Sequence, residues 1–527
     1  PYQLLSAVSG LREGELQDAL AQLTGAELIF GRGRPPQSSY RFKHALVQDA
    51  AYASLLKGRR QQLHSRIAQV LKDHFPERTA SEPELLAHHY TEAGETEQAI
   101  DQWLKAGQRA AERSANPEAV AHLRRGLELL ESLPDTGERA RRELALQMAL
   151  GMPLIATKGY SGEETGAAYE RARELCERVG SAQQLLPILY GQIVVRMSLG
   201  EQRGARQLAE EFLRLAEEQG EDGPALAARR MLGVALFGRG DLSASRSCIE
   251  KALTLYNPSK HKALTFEYGS DQRATSLAWL ALDLWLLGYP MQAERAGREA
   301  IALTEEIGHV LGVAHALRIG GCYLDIFRRD GNSAREHAMA LKEFSERHRL
   351  PYFRGEAKVI LAWSLVEQAP TQIAVGQMRE AYVNREITAR RVNGPFLLSL
   401  LADADARIGR PAMGLSVLDE ALALVEEMDE RWWEAELHRL KGQLLLSLTP
   451  DKAAVAEACY ERAINVARDQ GAKSLELRAA TSLARLWHKQ GKVEPARELL
   501  APICAWFTEG FDTPDLKDAR ALLGELS

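Results

Sequence analysis

The sequence predicts an all-α fold: a right-handed superhelix of repeated helix pairs, preceded by a small module that contains a β-hairpin. Hydrophobic residues make up 45% of the 527 residues but aromatic residues only 6%, so small aliphatic side chains suited to close helix packing dominate the core. A small residue recurs about every 40 residues along the C-terminal part of the chain, which indicates a repeat array. Glycine recurs between the small positions, where a short turn needs a positive φ.

Two registers of small residues define the repeat. One register comprises Ala205, Ser245, Ala293, Ala334, Ala374, Gly414, Ala456 and Ala496. A second stands twelve residues earlier in six of these repeats, at Gly233, Ala281, Cys322, Ala362, Ala402 and Ala484. Small residues at this spacing lie where two antiparallel helices cross, and they let the backbones approach closely. The pattern resembles the tetratricopeptide repeat lengthened from about 34 to about 40 residues, with helices of about 18 residues or about 27 Å.

The first 75 residues follow a different pattern. An amphipathic helix is predicted from Glu13, and segments 27–30 and 40–43 alternate like two strands around a turn rich in glycine and proline. Further helices are predicted from His44 onward. Helices that are followed by a hairpin are typical of a winged helix.

These patterns divide the chain into three segments. Residues 1–75 are expected to form the winged-helix module, 82–135 the helices that lead into the repeat array, and 136–527 the tetratricopeptide superhelix. A helix at about 96–114 would serve two overlapping repeats. One longer step between repeats indicates an insertion at 257–273, either a lid or a passive surface loop.

Charge argues against nucleic acid and anionic membranes as partners. The chain has 66 basic and 72 acidic residues, a net charge of −6. The helix that would enter a DNA groove carries Glu13, Glu15 and Asp18 with Arg12 as its only cation, and nearby phosphates would repel those carboxylates.

No motif for catalysis or metal binding is recognised in the sequence. It contains neither G-x-x-x-x-G-K-[ST], nor H-E-x-x-H, nor G-x-S-x-G. His88 and His89 are adjacent, so they are expected to diverge around a helix rather than to chelate a metal. The five cysteines show no C-x-x-C spacing, which fits a reducing, cytoplasmic compartment. The most apolar stretch, 277–289, contains Asp283 and is too short to span a bilayer.

Candidate binding residues lie at the helix positions that face the concave side of such an array. Counting from the small residue of each repeat selects Phe237, Leu282, Trp285, Tyr323 and Trp363, together with Arg485 near the C-terminus. The middle repeats would therefore present an apolar floor that becomes polar and basic toward the end, which suits a protein, a peptide or a small apolar effector. The alternative is that these aromatic side chains pack between neighbouring repeats.

Several segments carry a family resemblance. YRFKHALVQDAAY at 40–52 and RQQLHSRIA at 60–68 resemble the winged-helix region of bacterial STAND-type signalling ATPases, as do residues 106–115 and 122–130. The closing LLAPICAWFTEGFDT at 499–513 is similar to the end of a narrower group. In that group a class III adenylate/guanylate cyclase domain precedes a predicted ATPase and a tetratricopeptide tail. The resemblance covers essentially the whole chain.

The resemblance implies that this chain is a non-catalytic regulatory region, controlled by an effector and coupled to an upstream ATPase domain. ATP or ADP and Mg²⁺ would belong to the ATPase and cyclase domains and not to these residues. His44 matches the histidine at the winged-helix strand exit that can contact a nucleotide phosphate in such ATPases; local packing at a helix N-terminus is the alternative. Two rival interpretations are the repeat region of a large ATP-dependent transcription regulator and a plain protein-interaction scaffold.

Overall fold

The computed structural model describes residues 1–180, 182–385, 391 and 393–527. They form two compact units. The first comprises Pro1–Pro153 with Glu177–Val179, and the second comprises Leu154–Cys176 with Gly180–Ser527. Helices build both units, and the strands within the described ranges form a single two-stranded sheet.

The first unit contains the predicted order of helices and hairpin. Its elements are α1 Tyr2–Ser9, α2 Glu13–Gly25, β1 Ile29–Arg32, β2 Ser39–Phe42, α3 Ala45–Ala53, α4 Lys57–His74, α5 Pro76–Ser81, α6 Pro83–Ala93, α7 Thr96–Glu112, α8 Asn116–Leu130 and the start of α9 Gly137–Lys158. The strands are antiparallel, with Ile29 opposite Phe42. Tyr2, Leu16, Leu20 and Ile29 form the small core that joins the hairpin to α1 and α2.

Helix α7 packs against both α6 and α8, as expected for a helix that two overlapping repeats share. The close approach of α7 and α8 depends on Gly107. A Cβ atom at this position would lie 2.4 Å from Leu123 Cγ, so no larger residue fits without moving the helices apart.

The second unit is an array of helix pairs. Its helices are α10 Glu163–Val179, α11 Ala182–Ser198, α12 Gln202–Gln219, α13 Asp222–Gly238, α14 Leu242–Leu255, α15 Pro258–His261, α16 Leu264–Glu267, α17 Gln272–Leu286, α18 Pro290–Ile307, α19 Val310–Ala316, α20 Leu324–Phe327, α21 Gly331–His348, α22 Pro351–Gln368, α23 Gln372–Val383, α24 Gly394–Arg407, α25 Pro411–Met428, α26 Glu434–Leu448, α27 Ala453–Asp469, α28 Lys473–Lys489, α29 Val493–Trp506 and α30 Pro514–Glu525. A π-helical segment, Leu317–Tyr323, joins α19 to α20, and a short 3₁₀ turn, Pro450–Lys452, precedes α27. Many of the repeat helices have 17 or 18 residues, which confirms the predicted length.

The small residues of the repeat are buried where paired helices cross. Ala205, Ala293, Ala334, Ala456 and Ala496 are all 0% exposed. At Gly414 on α25, an added Cβ would lie 2.7 Å from the Ala402 carbonyl oxygen on α24 and 2.5 Å from a Leu444 methyl on α26. The predicted reason for the small residues, close backbone approach, is therefore confirmed.

Helix ends and loops of the second unit that are far apart in sequence touch one another. These turn contacts join the ends of α13, α17 and α20 and the start of α18 to the loop before α26, the start of α28, the loop before α30 and α30 itself. Three of them are the ion pair of Arg239 with Asp429 at 2.7 Å, the hydrogen bond from Ser474 Oγ to the Trp285 carbonyl at 2.5 Å, and the bond from the Met291 backbone N–H to Glu509 Oε1 at 2.9 Å. The paired residues are 189 to 218 positions apart, so successive turns of the superhelix lie against each other.

The predicted insertion at 257–273 is folded and packed. It contains α15 and α16, and Tyr268 in it is only 1% exposed. The Tyr190 hydroxyl donates a 2.8 Å hydrogen bond to the Tyr268 carbonyl. Asp271 accepts one from the Ala274 N–H at 2.8 Å and so caps α17. The insertion is therefore an ordered part of the wall of the array.

One helical stretch within the described residues is long and apolar enough, by composition, to cross a bilayer. It is Val310–Phe327, with a mean hydropathy of 1.3, and not the predicted most apolar stretch at 277–289. In the structure 94% of it is buried among other helices, and it carries Arg318 and Asp325. These are the properties of a core helix.

Candidate functional site

A cavity of about 400 Å³ lies on the inner faces of α22, α24, α26 and α28, and is named here the C-terminal cavity. Its apolar lining includes Ile326, Trp363, Leu400, Trp433 and Leu440. Its charged lining consists of Arg329, Arg407, Arg439, Arg478, Arg485, Glu367, Asp403, Glu436, Asp515 and Asp518. Five arginines and five carboxylates give the lining no net charge but a high density of both signs.

Most charges in the C-terminal cavity are paired. Arg407 bridges Glu367 and Asp403, each at 2.7 Å. Arg478 reaches Glu436 at 2.6 Å, and Arg439 reaches the same carboxylate at 2.8 Å. Burial alone would raise the pKa of Glu436, but these two guanidiniums outweigh it and lower that pKa to about 2. The carboxylate therefore stays ionised and holds both arginines against the wall.

Arg485 differs from the other cavity arginines. Arg329, Arg407, Arg439 and Arg478 each form a salt bridge, whereas Arg485 forms none with any residue in the described part of the chain. It is exposed and projects from α28, and it faces a lining that also contains Trp363. A guanidinium presents several fixed N–H donors, so Arg485 is available for an anionic group of a ligand.

The structure buries the other predicted groove residues. Phe237 is 2% exposed, Leu282 1%, Trp285 5%, Tyr323 1% and Trp363 4%. Only Trp363 and Arg485 of the predicted set line the C-terminal cavity. Their role in binding stays a prediction, and an open apolar floor across the middle repeats is not what the structure shows.

Phe237 is buried because a cluster of aromatic side chains fills the middle of the array. This aromatic cluster comprises Phe237, Trp279, Phe327, Phe396, Trp432 and Trp433. The ring of Trp432, from the loop between α25 and α26, lies 5.1 Å from that of Phe237 and 5.2 Å from that of Phe396. Trp432 and Trp433 were not among the residues selected from the sequence. The pair of adjacent tryptophans was the signal in the sequence that could have drawn attention to them. In the structure they follow directly after a turn at Asp429, whose φ is 58°.

Tyr323 belongs to a buried polar network. Its hydroxyl donates a 2.6 Å hydrogen bond to Glu356 and accepts one from Asn393 Nδ2 at 3.0 Å. Glu356 also pairs with Arg385 and lies 3.7 Å from Arg318. Glu356 thus offsets part of the charge of two buried guanidiniums, and the hydrogen bonds tie the π-helical segment to α22 and to the N-terminus of α24. They leave Tyr323 no free hydroxyl for a ligand.

His44 stands between β2 and α3, as its predicted position at the strand exit requires. It is the N-cap residue of α3, with extended backbone, and its side chain is exposed and forms no capping hydrogen bond. Its contact with a nucleotide stays a prediction, because it needs residues of an ATPase domain.

The structure corrects one sequence argument, that adjacent histidines cannot converge. The ring centroids of His88 and His89 on α6 are 5.3 Å apart, and α4, which packs against α6, brings the His64 ring to within 5.8 Å of both. Candidate ligand atoms of all three lie within 4.8 Å of one another. Desolvation lowers the pKa of His64 and lowers that of His89 to about 4.

Comparison with known proteins gives limited sequence similarity. No family model matches the chain. An uncharacterised protein of Rhizobium meliloti (strain 1021) is 28% identical over 462 residues, which is 86% of this chain and 44% of that protein. The chain therefore spans less than half the length of this relative.

Comparison with solved structures shows the fold. A Rap protein complexed with competence and sporulation factor has a TM-score of 0.51 at 12% identity, over 70% of this chain and 98% of that one. The Cut9–Hcn1 hetero-tetramer of the APC/C has a TM-score of 0.44 at 13% identity, over 100% and 98% of the two chains. A STAND protein with a tetratricopeptide repeat sensor from Pyrococcus horikoshii has 0.34 at 14% identity, over 73% and 60%. The last two scores are too low to support an argument. The chain has the superhelical fold of tetratricopeptide repeat proteins.

Proposed function

We propose that the second unit is an effector sensor whose C-terminal cavity binds a short peptide with a free carboxylate. The observation that carries this is Arg485, an arginine with no salt bridge among the described residues, in a cavity whose other arginines are paired. The volume of about 400 Å³ is within the range of ligand-binding pockets. Trp363 and Leu440 also line the cavity but are only 4% and 3% exposed, so the polar side chains of the lining would make most of the contacts to the peptide.

The lining also favours a peptide over a purely apolar ligand. An apolar molecule would lie against the Arg407 and Glu436 ion pairs without satisfying any of their remaining hydrogen-bonding capacity. A peptide brings backbone N–H and C=O groups that can bond to both. The competence and sporulation factor bound to the Rap protein is a precedent for an effector in this fold.

The test compares matched short peptides that end in a free carboxylate or in an amide. We expect the free-acid peptides to bind more tightly, and Arg485→Gln to weaken their binding roughly 10- to 100-fold, the value of a hydrogen bond to a charged group. Lys489→Gln is the matched control, since Lys489 is an exposed cation one turn further along α28 and outside the cavity lining. Equal affinity of both peptide forms for the wild-type protein, or no loss in Arg485→Gln, would contradict the proposal.

We further propose that this sensor regulates upstream catalytic domains in a larger cytoplasmic protein, an ATPase fused to an adenylate or guanylate cyclase, and that the chain itself is non-catalytic. What supports this is the resemblance of residues 40–52 and 499–513 and the greater length of the Rhizobium relative. Residues 1–75 would be the winged helix that transmits the signal. Binding must then differ in affinity between two states of the full protein.

The exposed position of His44 allows a direct test in a full-length protein. His44→Ala is expected to lower the fraction of ADP that stays bound after purification, with Arg41→Ala, an exposed change on β2, as the control. Unchanged ADP occupancy would remove the assignment. A DNA-binding domain in the full-length sequence would favour a transcription regulator, and effector binding without any change in nucleotide turnover would favour a plain scaffold.

A further inference from the structure

Three histidine rings meet in the first unit, on two packed helices. The ring centroids of His64 on α4 and of His88 and His89 on α6 are 5.1 to 5.8 Å apart. His64 Nδ1 and His89 Nδ1 are 2.9 Å apart, so one donates a hydrogen bond to the other. His64 is 8% exposed, His89 is half-buried and His88 is exposed, so the group reaches from the core to the surface.

A neighbouring hydrogen-bond chain selects the tautomer of His64. The Tyr52 hydroxyl donates to Glu92 Oε2 at 3.1 Å, and it lies 3.1 Å from His64 Nε2. Because the hydroxyl proton is used on Glu92, the hydroxyl oxygen accepts from the His64 Nε2–H. The lone pair of His64 is then on Nδ1, which faces His89. This carboxylate–hydroxyl–imidazole chain orients the ring in the way that outer partners orient metal-ligating histidines.

We propose that His64, His88 and His89 bind one divalent transition-metal ion, with Zn²⁺ as the best match. Three imidazoles suit zinc, copper and nickel and do not suit Mg²⁺ or Ca²⁺, which prefer oxygen ligands. Three protein ligands leave the fourth tetrahedral position to water, on the side where His88 is exposed. Tyr52 and Glu92 are the positioning residues of this site.

The geometry needs only small adjustments to hold zinc. Tetrahedral ligands at about 2.05 Å from the metal lie about 3.3 Å apart, so the His64–His89 nitrogen distance of 2.9 Å must open by about 0.4 Å. His89 then carries its proton on Nε2 and gives the Nδ1 lone pair to the metal. His88 closes the remaining gap by rotating a side chain that is exposed, which disturbs no packed core.

The test uses the full chain, stripped of metal with a chelator and titrated with Zn²⁺ against a chromophoric competitor, and separately with Co²⁺ followed by visible absorption. We expect one bound ion per chain and the absorption bands of tetrahedral Co²⁺. His88→Ala and His89→Ala should abolish binding, and Tyr52→Phe should weaken it about 10- to 100-fold. His74→Ala, an exposed histidine at the end of the same helix α4, should bind like the wild type.

His88→Ala decides the outcome, because this side chain is exposed and its removal leaves the fold intact, which far-UV circular dichroism checks. Loss of the bound ion in this variant, with retention in His74→Ala, supports the site. Absence of stoichiometric Zn²⁺ in the wild-type chain, or full retention in both His88→Ala and His89→Ala, overturns it.

Discussion

The side chain of Glu430 is buried inside the repeat array. It is 3% exposed, and its Oε1 accepts a hydrogen bond from Trp432 Nε1 at 3.1 Å. Desolvation raises the pKa of Glu430 from 4.5 to about 7, in spite of that hydrogen bond. Between pH 4.5 and about 7 the carboxyl group of Glu430 keeps its proton in the folded state but loses it in the unfolded chain. The free energy of unfolding therefore falls as pH rises toward 7 and then levels off.

Glu430→Gln removes this pH dependence, because a glutamine keeps the acceptor for Trp432 and cannot ionise. From pH 5.5 to 8 the wild type should lose about 2 kcal/mol relative to the variant, at about 1.36 kcal/mol for each of the roughly 1.5 pH units up to a pKa of about 7. Urea unfolding of both proteins at pH 5.5 and pH 8 measures this difference in the free energy of unfolding. Glu420→Gln, an exposed change on α25, is the control. The same pH dependence in Glu430→Gln and wild type would show that Glu430 is not buried in the acid form.

Paired helices in the repeat cross so closely that a glycine at the crossing leaves no room for a Cβ atom. Gly414 on α25 faces the Ala402 carbonyl of α24, and the two backbones are in contact there. Gly376 on α23 is also a helical glycine, but nothing lies within 4 Å of where its Cβ would be. Substitution at Gly414 therefore tests close packing, whereas substitution at Gly376 tests helix propensity alone.

Gly414→Ala should destabilise the protein by about 1–3 kcal/mol, since the new methyl group would overlap backbone that cannot move independently. Gly376→Ala should instead stabilise it by up to about 1 kcal/mol, because alanine is the better helix former and meets no neighbour. Chemical denaturation of both variants measures the difference. Stabilisation by both substitutions would mean that α24 and α25 are not in contact at Gly414.

Elements of this kind could be predicted from the sequence because their signals are local. The small residues of the repeat, the helix length and the hairpin before His44 all follow from spacing along the chain. The filling of the groove could not be predicted in this way. Trp432 covers Phe237 from a position almost 200 residues later, and no periodicity within one repeat reports that contact.

The two candidate sites also divide into residues that could be predicted from local sequence patterns and residues that could not. The repeat register predicts that Arg485 and Trp363 lie on the concave face, and both line the C-terminal cavity, while their role in binding stays a prediction. Their neighbours Arg478 and Trp433 lie outside the positions that the register counts. The histidine cluster was missed because His64 comes from a separate helix, and only the packing of α4 on α6 brings it to His89.

At the scale of the whole second unit, turn contacts link repeats that are not neighbours. Glu509, in the loop before α30, accepts hydrogen bonds from the backbone N–H groups of Met291 at 2.9 Å and Gln292 at 3.1 Å. A carboxylate from a distant loop thus caps the N-terminus of α18. A simple repeat array has only contacts between adjacent repeats, and its stability is a sum of local terms.

Glu509→Ala should cost about 1–2 kcal/mol and should speed hydrogen exchange at the Met291 and Gln292 amides, far from the substitution in sequence. Glu498→Ala, an exposed change on α29, should leave exchange at α18 unchanged. Hydrogen-exchange mass spectrometry reads both. Faster exchange confined to the loop around residue 509 would mean that the contact contributes nothing to α18.

The position of Trp432 has a consequence for synthesis on the ribosome. Phe237 emerges 195 residues before the tryptophan that covers it. At translation speeds of about 5–20 residues per second, the face of Phe237 that Trp432 covers stays exposed to solvent for about 10–40 s, even after its own helix pair has formed. During that interval the nascent chain exposes a hydrophobic aromatic surface that chaperones can bind and that is buried in the folded protein.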